Sequence, residues 1–225
     1  MAKKKQTVED QNLENVQEAL NTTSVWIEKN QNKLTWSITI IALVVTGVLA
    51  LNTYVIKPKA VEVSNENAKA VAYFMQGDWE KALNGDDAEC VGFQAIADEY
   101  KMYQGGKLAA LYAGVCYYQL GQYEDAAAYL NKFSANDLTI EPAALQLLGD
   151  AYVQMEDYSK AVKAFESAAK SGNDLIAPMS LKKAGLVYLE LGDKAAAKKA
   201  FEAIKADYPA SSEAQSIDAY IAIAQ

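Results

Sequence analysis

One pattern recurs three times along the second half of this chain. Gly114 precedes Tyr117, Gly149 precedes Tyr152 and Gly185 precedes Tyr188, with the glycines 35 and 36 residues apart. The register continues downstream through Tyr123, Tyr158 and Lys194, then Ala126, Ala161 and Ala197. It goes on through Leu130, Phe165 and Phe201, and closes on Phe133, Ala168 and Ile204. A period of this size marks a stacked architecture, because one such unit cannot cover its own apolar face and needs a neighbour. Gly and Ala at the crossing point allow two helices to approach closely. The aromatic, Phe and Leu positions fill the space between one hairpin and the next.

This register resembles the tetratricopeptide repeat, a helix-turn-helix unit of about 34 residues. The middle copy carries the resemblance most fully, through Leu145, Leu148, Gly149, Tyr152, Tyr158, Ala161, Phe165 and Ala168. The last copy ends at Tyr208-Pro209, where proline stops the second helix. Two departures are visible: Lys194 replaces an aromatic, and the first copy has no closing proline until Pro142. Upstream, Tyr73, Gly77, Trp79 and Ala82 sit at matching offsets and predict a degenerate fourth copy. An insertion, "NGDDAECVG", interrupts it before Phe93, Ile96 and Tyr100 complete its second helix. At the other end Ile217, Tyr220, Ile221 and Ala224 have the spacing of a capping helix.

Residues 34–56 contain no charge, and 23 residues are enough to cross about 30 Å of hydrocarbon as a helix. Trp36 and Tyr54 stand near its ends, where amphipathic rings favour the interface. Lys3, Lys4, Lys5, Lys29 and Lys33 precede the span and only Lys57 and Lys59 closely follow it, which predicts a cytoplasmic N-terminus. A cleavable signal would use Val48 and Ala50 as small residues before the cut. A leading segment of 33 residues with five acids does not suit that reading.

The expected fold is therefore all-α: one N-terminal transmembrane helix, a solenoid of three to four helix-turn-helix repeats, and a C-terminal capping helix. The expected boundaries are a cytoplasmic segment 1–33, an anchor 34–56, and a linker helix with the degenerate repeat over 57–106. The three repeats follow over 107–209 and the cap over 210–225. In the leading segment Leu13, Val16 and Leu20 share one narrow helical face, which suits either a short partner-touching helix or a loosely ordered tail. Pro58 is expected to punctuate the exit from the span.

Composition narrows the chemistry. Beyond the span lie 16 lysines and 24 acids, and the chain has neither arginine nor histidine. An acidic domain without a basic stripe is a poor partner for nucleic acid or anionic lipid. The absence of histidine removes the usual general base, the common nucleophile pairs and most transition-metal sites. Cys90 and Cys116 are too few for a structural zinc site; a buried thiol at Cys116 and an incidental one at Cys90 are expected, with a disulfide the alternative. Asp86, Asp87 and Glu89 lack the alternating ligands and closing glutamate of a calcium loop. No glycine-rich phosphate loop or nucleophile elbow occurs, so no cofactor, metal or catalytic residue is expected.

The tetratricopeptide resemblance implies that the first helix of each hairpin lines a concave groove. The matching positions are Leu108, Leu111, Tyr112, Val115 and Tyr118 in the first copy and Gln146, Asp150 and Val153 in the second. Met179, Lys182, Leu186 and Leu189 complete the set in the third. Family members that clamp a C-terminal carboxylate use Lys and Asn where Leu111 and Val115 stand here, so the groove is expected to take an apolar segment instead. Leu111→Glu and Tyr112→Glu are expected to impair association while sparing the fold. Within the span Ala42, Thr46 and Ala50, with Gly47 beside them, form a small-residue face suited to helix packing in lipid.

One anchor followed by outward-facing repeats, with the stretch "WIEKNQNK" beginning at Trp26, resembles the YfgM-type ancillary subunits of the bacterial Sec translocon. That resemblance implies a non-enzymatic, chaperone-like binding protein of the inner membrane with periplasmic repeats. It further implies, as partners, translocon subunits, a membrane-anchored periplasmic prolyl isomerase or chaperone, and exported polypeptides. The competing readings are a cell-envelope assembly scaffold without client binding and an N-anchored import receptor.

Overall fold

The computed structural model describes the backbone of residues 2–86 and 89–225, and side chains at Val16 and from Leu20 onward. The side chains of Lys3, Lys4, Lys5 and Leu13, and residue Asp87, lie outside the described residues. Every regular element among the described residues is helical. The chain divides into two units, residues 1–58 and 59–225.

The first unit is built on helix α1 (Ala2–Leu51) and a π-helical turn over Asn52–Ile56. The leading segment is thus helical along its backbone rather than loosely ordered. Among the described residues one helix is long and apolar enough to cross a membrane, and the residues of its apolar stretch are exposed. Its threonines return their hydroxyls to the preceding turn: Thr35 to the Gln31 carbonyl and Thr39 to that of Thr35, both at 2.8 Å, and Thr46 to that of Ala42 at 2.7 Å. Those bonds satisfy the hydroxyl hydrogens of these three threonines within the helix.

Pro58 does not end the helix. Helix α2 (Lys57–Met75) runs straight through it. Proline has no N–H and its ring crowds the carbonyl four residues back. The π-turn relieves that crowding, because the Lys57 N–H bonds the Asn52 carbonyl five residues earlier and widens the helix just ahead of the ring.

The second unit continues with α3 (Trp79–Asn84), α4 (Phe93–Glu99), α5 (Gln104–Gln119), α6 (Tyr123–Leu130), α7 (Ile140–Gln154) and α8 (Tyr158–Ala169). It ends with α9 (Ile176–Glu190), α10 (Lys194–Asp207) and α11 (Ile217–Ile223). Four hairpin turns share one geometry. Gly77, Gly121, Glu156 and Gly192 all have positive φ. Each is followed by an N–H that bonds a first-helix tyrosine carbonyl: Asp78 to Tyr73, Gln122 to Tyr117, Asp157 to Tyr152 and Asp193 to Tyr188. Three of the four next helices then start on an aspartate cap, Asp78, Asp157 or Asp193, whose carboxylate accepts an N–H three residues on. Recurrence of the whole turn at residues 73–78 identifies α2 and α3 as a fourth hairpin.

Within each complete hairpin the glycine and the residue 16 positions later meet. A β-carbon on Gly114 would lie 2.6 Å from Leu130 Cγ, one on Gly149 2.6 Å from Phe165 Cδ1, and one on Gly185 2.6 Å from Phe201 Cζ. A real β-carbon essentially never comes that close to another heavy atom, so a side chain at any of these glycines would force its partner to shift.

Two departures from sequence expectation have local causes. Phe133 lies beyond α6, not within it. The Asn131 amide bonds back to the Ala127 carbonyl at 2.7 Å, and the N–H groups of Lys132 and Phe133 tighten onto carbonyls three residues back, which ends the helix at Leu130. Pro142 closes nothing; it is buried in the first turn of α7, where a missing N–H costs no helical bond.

The insertion folds as a pinched loop. Gly85 and Gly92 both have positive φ and their backbones touch, leaving no room for a side chain at either. Asp86 holds the loop from within, accepting the N–H groups of Glu89 (2.7 Å) and Cys90 (2.9 Å) and the Tyr73 hydroxyl.

Candidate functional site

An apolar cleft of about 440 Å³ lies between α5 and α7. Its walls are Leu108, Leu111, Tyr112 and Val115 from α5, Ile140, Ala143, Ala144 and Leu147 from α7 with Thr139 before it, and Phe74 from α2. The floor is aromatic. Tyr112 stacks on buried Phe93 with ring centres 4.8 Å apart, and Phe74 meets Tyr112 edge-on at 5.0 Å and Trp79 at 5.1 Å. Such offset and edge contacts hold the rings in one arrangement, so the cleft is preformed. Leu108 and Ile140 are exposed at its rim, 37% and 50% respectively.

The sequence-derived groove positions divide into three groups. Leu108, Leu111, Tyr112 and Val115 come together in the cleft. Tyr118 stands outside it, packed edge-on against Tyr123 at 5.4 Å. Gln146, Asp150 and Val153 also lie outside, because their face of α7 turns toward the next hairpin. Asp150 is paired with Lys183 of α9 at 2.6 Å, and Val153 packs on the cluster of Ala161, Val162, Phe165, Ala184 and Val187. In the third copy Met179 and Leu186 remain exposed, while α11 occupies the neighbourhood of the other two. The Lys182 ammonium lies over the Tyr220 ring at 4.9 Å, and Leu189 packs on Ile217 and its neighbours.

Tyr112 is both wall and core, so a charge there would strike the aromatic floor; the expectation that Tyr112→Glu spares the fold does not stand. Leu111 packs on the same core cluster. The α7 wall was missed from the sequence although its signal was present, since Ile140, Ala143, Ala144 and Leu147 recur at the spacing of one helical face.

Both cysteines are buried free thiols. Burial pushes Cys116 up to about 12 and raises Cys90 as well, so neither is poised as a nucleophile. Cys90 lies in the inserted loop as expected, but its thiol is not incidental: it is 5% exposed and belongs to the core. Among the described residues no group of three or more His, Cys, Asp or Glu is placed to hold a metal ion.

Residues 108–137 and 147–212 each match a tetratricopeptide repeat model. The chain carries tetratricopeptide repeats. Solved structures agree with that fold. A crystal structure of MamA aligns with a TM-score of 0.52 at 22% identity, covering 69% of this chain and 81% of MamA. A second MamA crystal structure gives 0.56 at 20% identity, covering 72% and 80%. A putative kinesin light chain from Podosopora anserina with nearly identical tetratricopeptide-like repeats gives 0.54 at 15% identity, covering 73% and 85%. No curated protein sequence matches the chain. Tetratricopeptide repeats suggest a protein-protein interaction module.

Proposed function

We propose that this chain is a membrane-anchored protein-binding module that serves as an ancillary subunit of the Sec translocon and assists the folding of exported proteins. In this reading residues 34–56 anchor it in a bacterial inner membrane with the N-terminus in the cytoplasm and the repeats in the periplasm. The observation that carries the binding role is the preformed apolar cleft between α5 and α7, with Leu108 and Ile140 exposed at its rim. An apolar segment of a client or of a folding factor is the chemistry that fits it, since its walls hold no charge to clamp a carboxylate. The small-residue face of Ala42, Thr46, Gly47 and Ala50 supports a contact in the membrane: a β-carbon on Gly47 would meet nothing within 4 Å, and the Thr46 hydroxyl is already satisfied.

The test is mild detergent extraction of native membranes, purification through a C-terminal tag and mass spectrometry, with a scrambled span as control. Translocon subunits or an anchored prolyl isomerase, lost in the control, are the expected result. Recovery of envelope-assembly proteins alone would overturn the translocon assignment.

A further inference from the structure

A second cavity, of about 310 Å³, lies between the α8–α9 turn and the turn that follows α10. Asp174 comes to it from the first turn, and Asp207, Tyr208, Pro209, Ala210 and Ser211 from the second. Among the described residues neither carboxylate has a hydrogen bond or an ion pair. Lys205, the cation in the last turn of α10, is drawn away to Asp218 at 2.6 Å. Asp207 itself ends α10, where a carboxylate meets the negative pole of the helix and is disfavoured. An unpartnered charge is thus held where its own helix opposes it, next to a half-buried tyrosine.

An apolar edge joins this cavity to the α5–α7 cleft. Thr139 and Ile140 line the cleft, and Leu138 just before them is 69% exposed. The Leu138 carbonyl accepts the Asn173 side-chain amide at 2.9 Å, which ties its turn to the next one. There the Asn173 side-chain oxygen accepts the N–H groups of Leu175 and Ile176 at 3.0 Å each, and Leu175 stands 70% exposed beside Asp174. Cleft, Leu138, Leu175 and acidic cavity therefore follow one another along successive hairpins. We propose that this edge binds a partner polypeptide whose apolar stretch enters the cleft and whose arginine, a few residues on, enters the Asp174–Asp207 cavity. The inference deepens the reading of the cleft as the binding site and rests on it. Packed helices lie about 8–10 Å apart, so two hairpin steps span about 16–20 Å, or about five to six residues of extended chain. A planar guanidinium reaches two carboxylates with a fork of donors and stacks on a tyrosine face, which a hydrated ammonium does less well. The sequence has no arginine, so a second copy of it does not supply the group.

The full chain in phosphatidylcholine nanodiscs is titrated into a fluorescein-labelled peptide of six alternating leucines and alanines followed by two arginines. A counterpart with citrulline for arginine tests the charge alone, and empty nanodiscs are the blank. Anisotropy is expected to show the arginine peptide bound about fivefold more tightly, with the gain fading in high salt. Asp174→Asn combined with Asp207→Asn is expected to abolish that gain and to leave the citrulline peptide's affinity unchanged, which also shows that the variant is folded. Leu108→Glu is expected to weaken both peptides. Equal affinities of the parent for the two peptides overturn the inference and leave the cleft standing. A gain that survives in the double variant, or a loss shared there by both peptides, overturns it as well. Binding of neither peptide overturns the cleft reading and the inference together.

Discussion

Gly149 and Phe165 meet at the crossing of α7 and α8, so closely that a β-carbon on the glycine would lie 2.6 Å from Phe165 Cδ1. The same pairing recurs as Gly114 with Leu130 and Gly185 with Phe201, so three hairpins share one closing contact. Gly149→Leu forces the helices apart or the ring out of its well, and overpacking of this kind costs about 1–3 kcal/mol. A lowered thermal midpoint is expected; an unchanged midpoint would show that the crossing is not where the hairpin gains its stability.

Glu156 is the one hairpin-turn residue with a positive φ, 57°, that is not glycine. A side chain in that conformation costs about 1–2 kcal/mol, part of which glycine returns as chain entropy in the unfolded state. Glu156→Gly is therefore expected to stabilise the array by about 0.5–1 kcal/mol, read as a raised urea midpoint with an unchanged slope. A lower midpoint would mean that the glutamate side chain makes a stabilising contact.

Binding and folding separate at the cleft by exposure. Leu108→Glu, at the rim, is expected to leave the stability within about 0.5 kcal/mol of the parent, as surface changes do, while weakening capture of an apolar peptide. Tyr112→Glu is expected to lower both, because it breaks the stack on Phe93. Equal loss of stability in the two variants would place Leu108 in the core and remove it from the binding surface.

Alkaline pH should loosen the array from within. Burial holds Tyr117, Tyr129 and Tyr188 at about 12, with Asp98 accepting from Tyr129 and Glu166 from Tyr188 as further causes. In the unfolded chain these tyrosines return to 10.0. The folded form then binds more protons through the interval, so stability is intact below pH about 10 and falls as pH rises toward 12. Buried Cys116 acts in the same direction from 9.0 upward. Denaturant midpoints between pH 9 and 12 check this; a midpoint flat across that range would contradict it.

The sequence by itself determined the period, the helical class and the crossing glycines. These follow from local chemistry: a glycine every 35 or 36 residues, apolar residues at helical spacing and an uncharged stretch long enough to span a bilayer. The middle hairpin was legible almost residue by residue, because its closing contact, Gly149 on Phe165, lies within the hairpin itself. Tertiary structure alone decided which face of α7 became cleft and which became interface. Gln146, Asp150 and Val153 have the same repeat positions as open-groove residues, yet Lys183, one hairpin later, draws Asp150 into an ion pair. Likewise α11 covers the surroundings of Lys182 and Leu189, and the pinch of Gly85 on Gly92 carries Cys90 into the core. Periodicity reports a residue's angle about its own helix, whereas burial depends on what the neighbouring hairpin places opposite, and only packing supplies that.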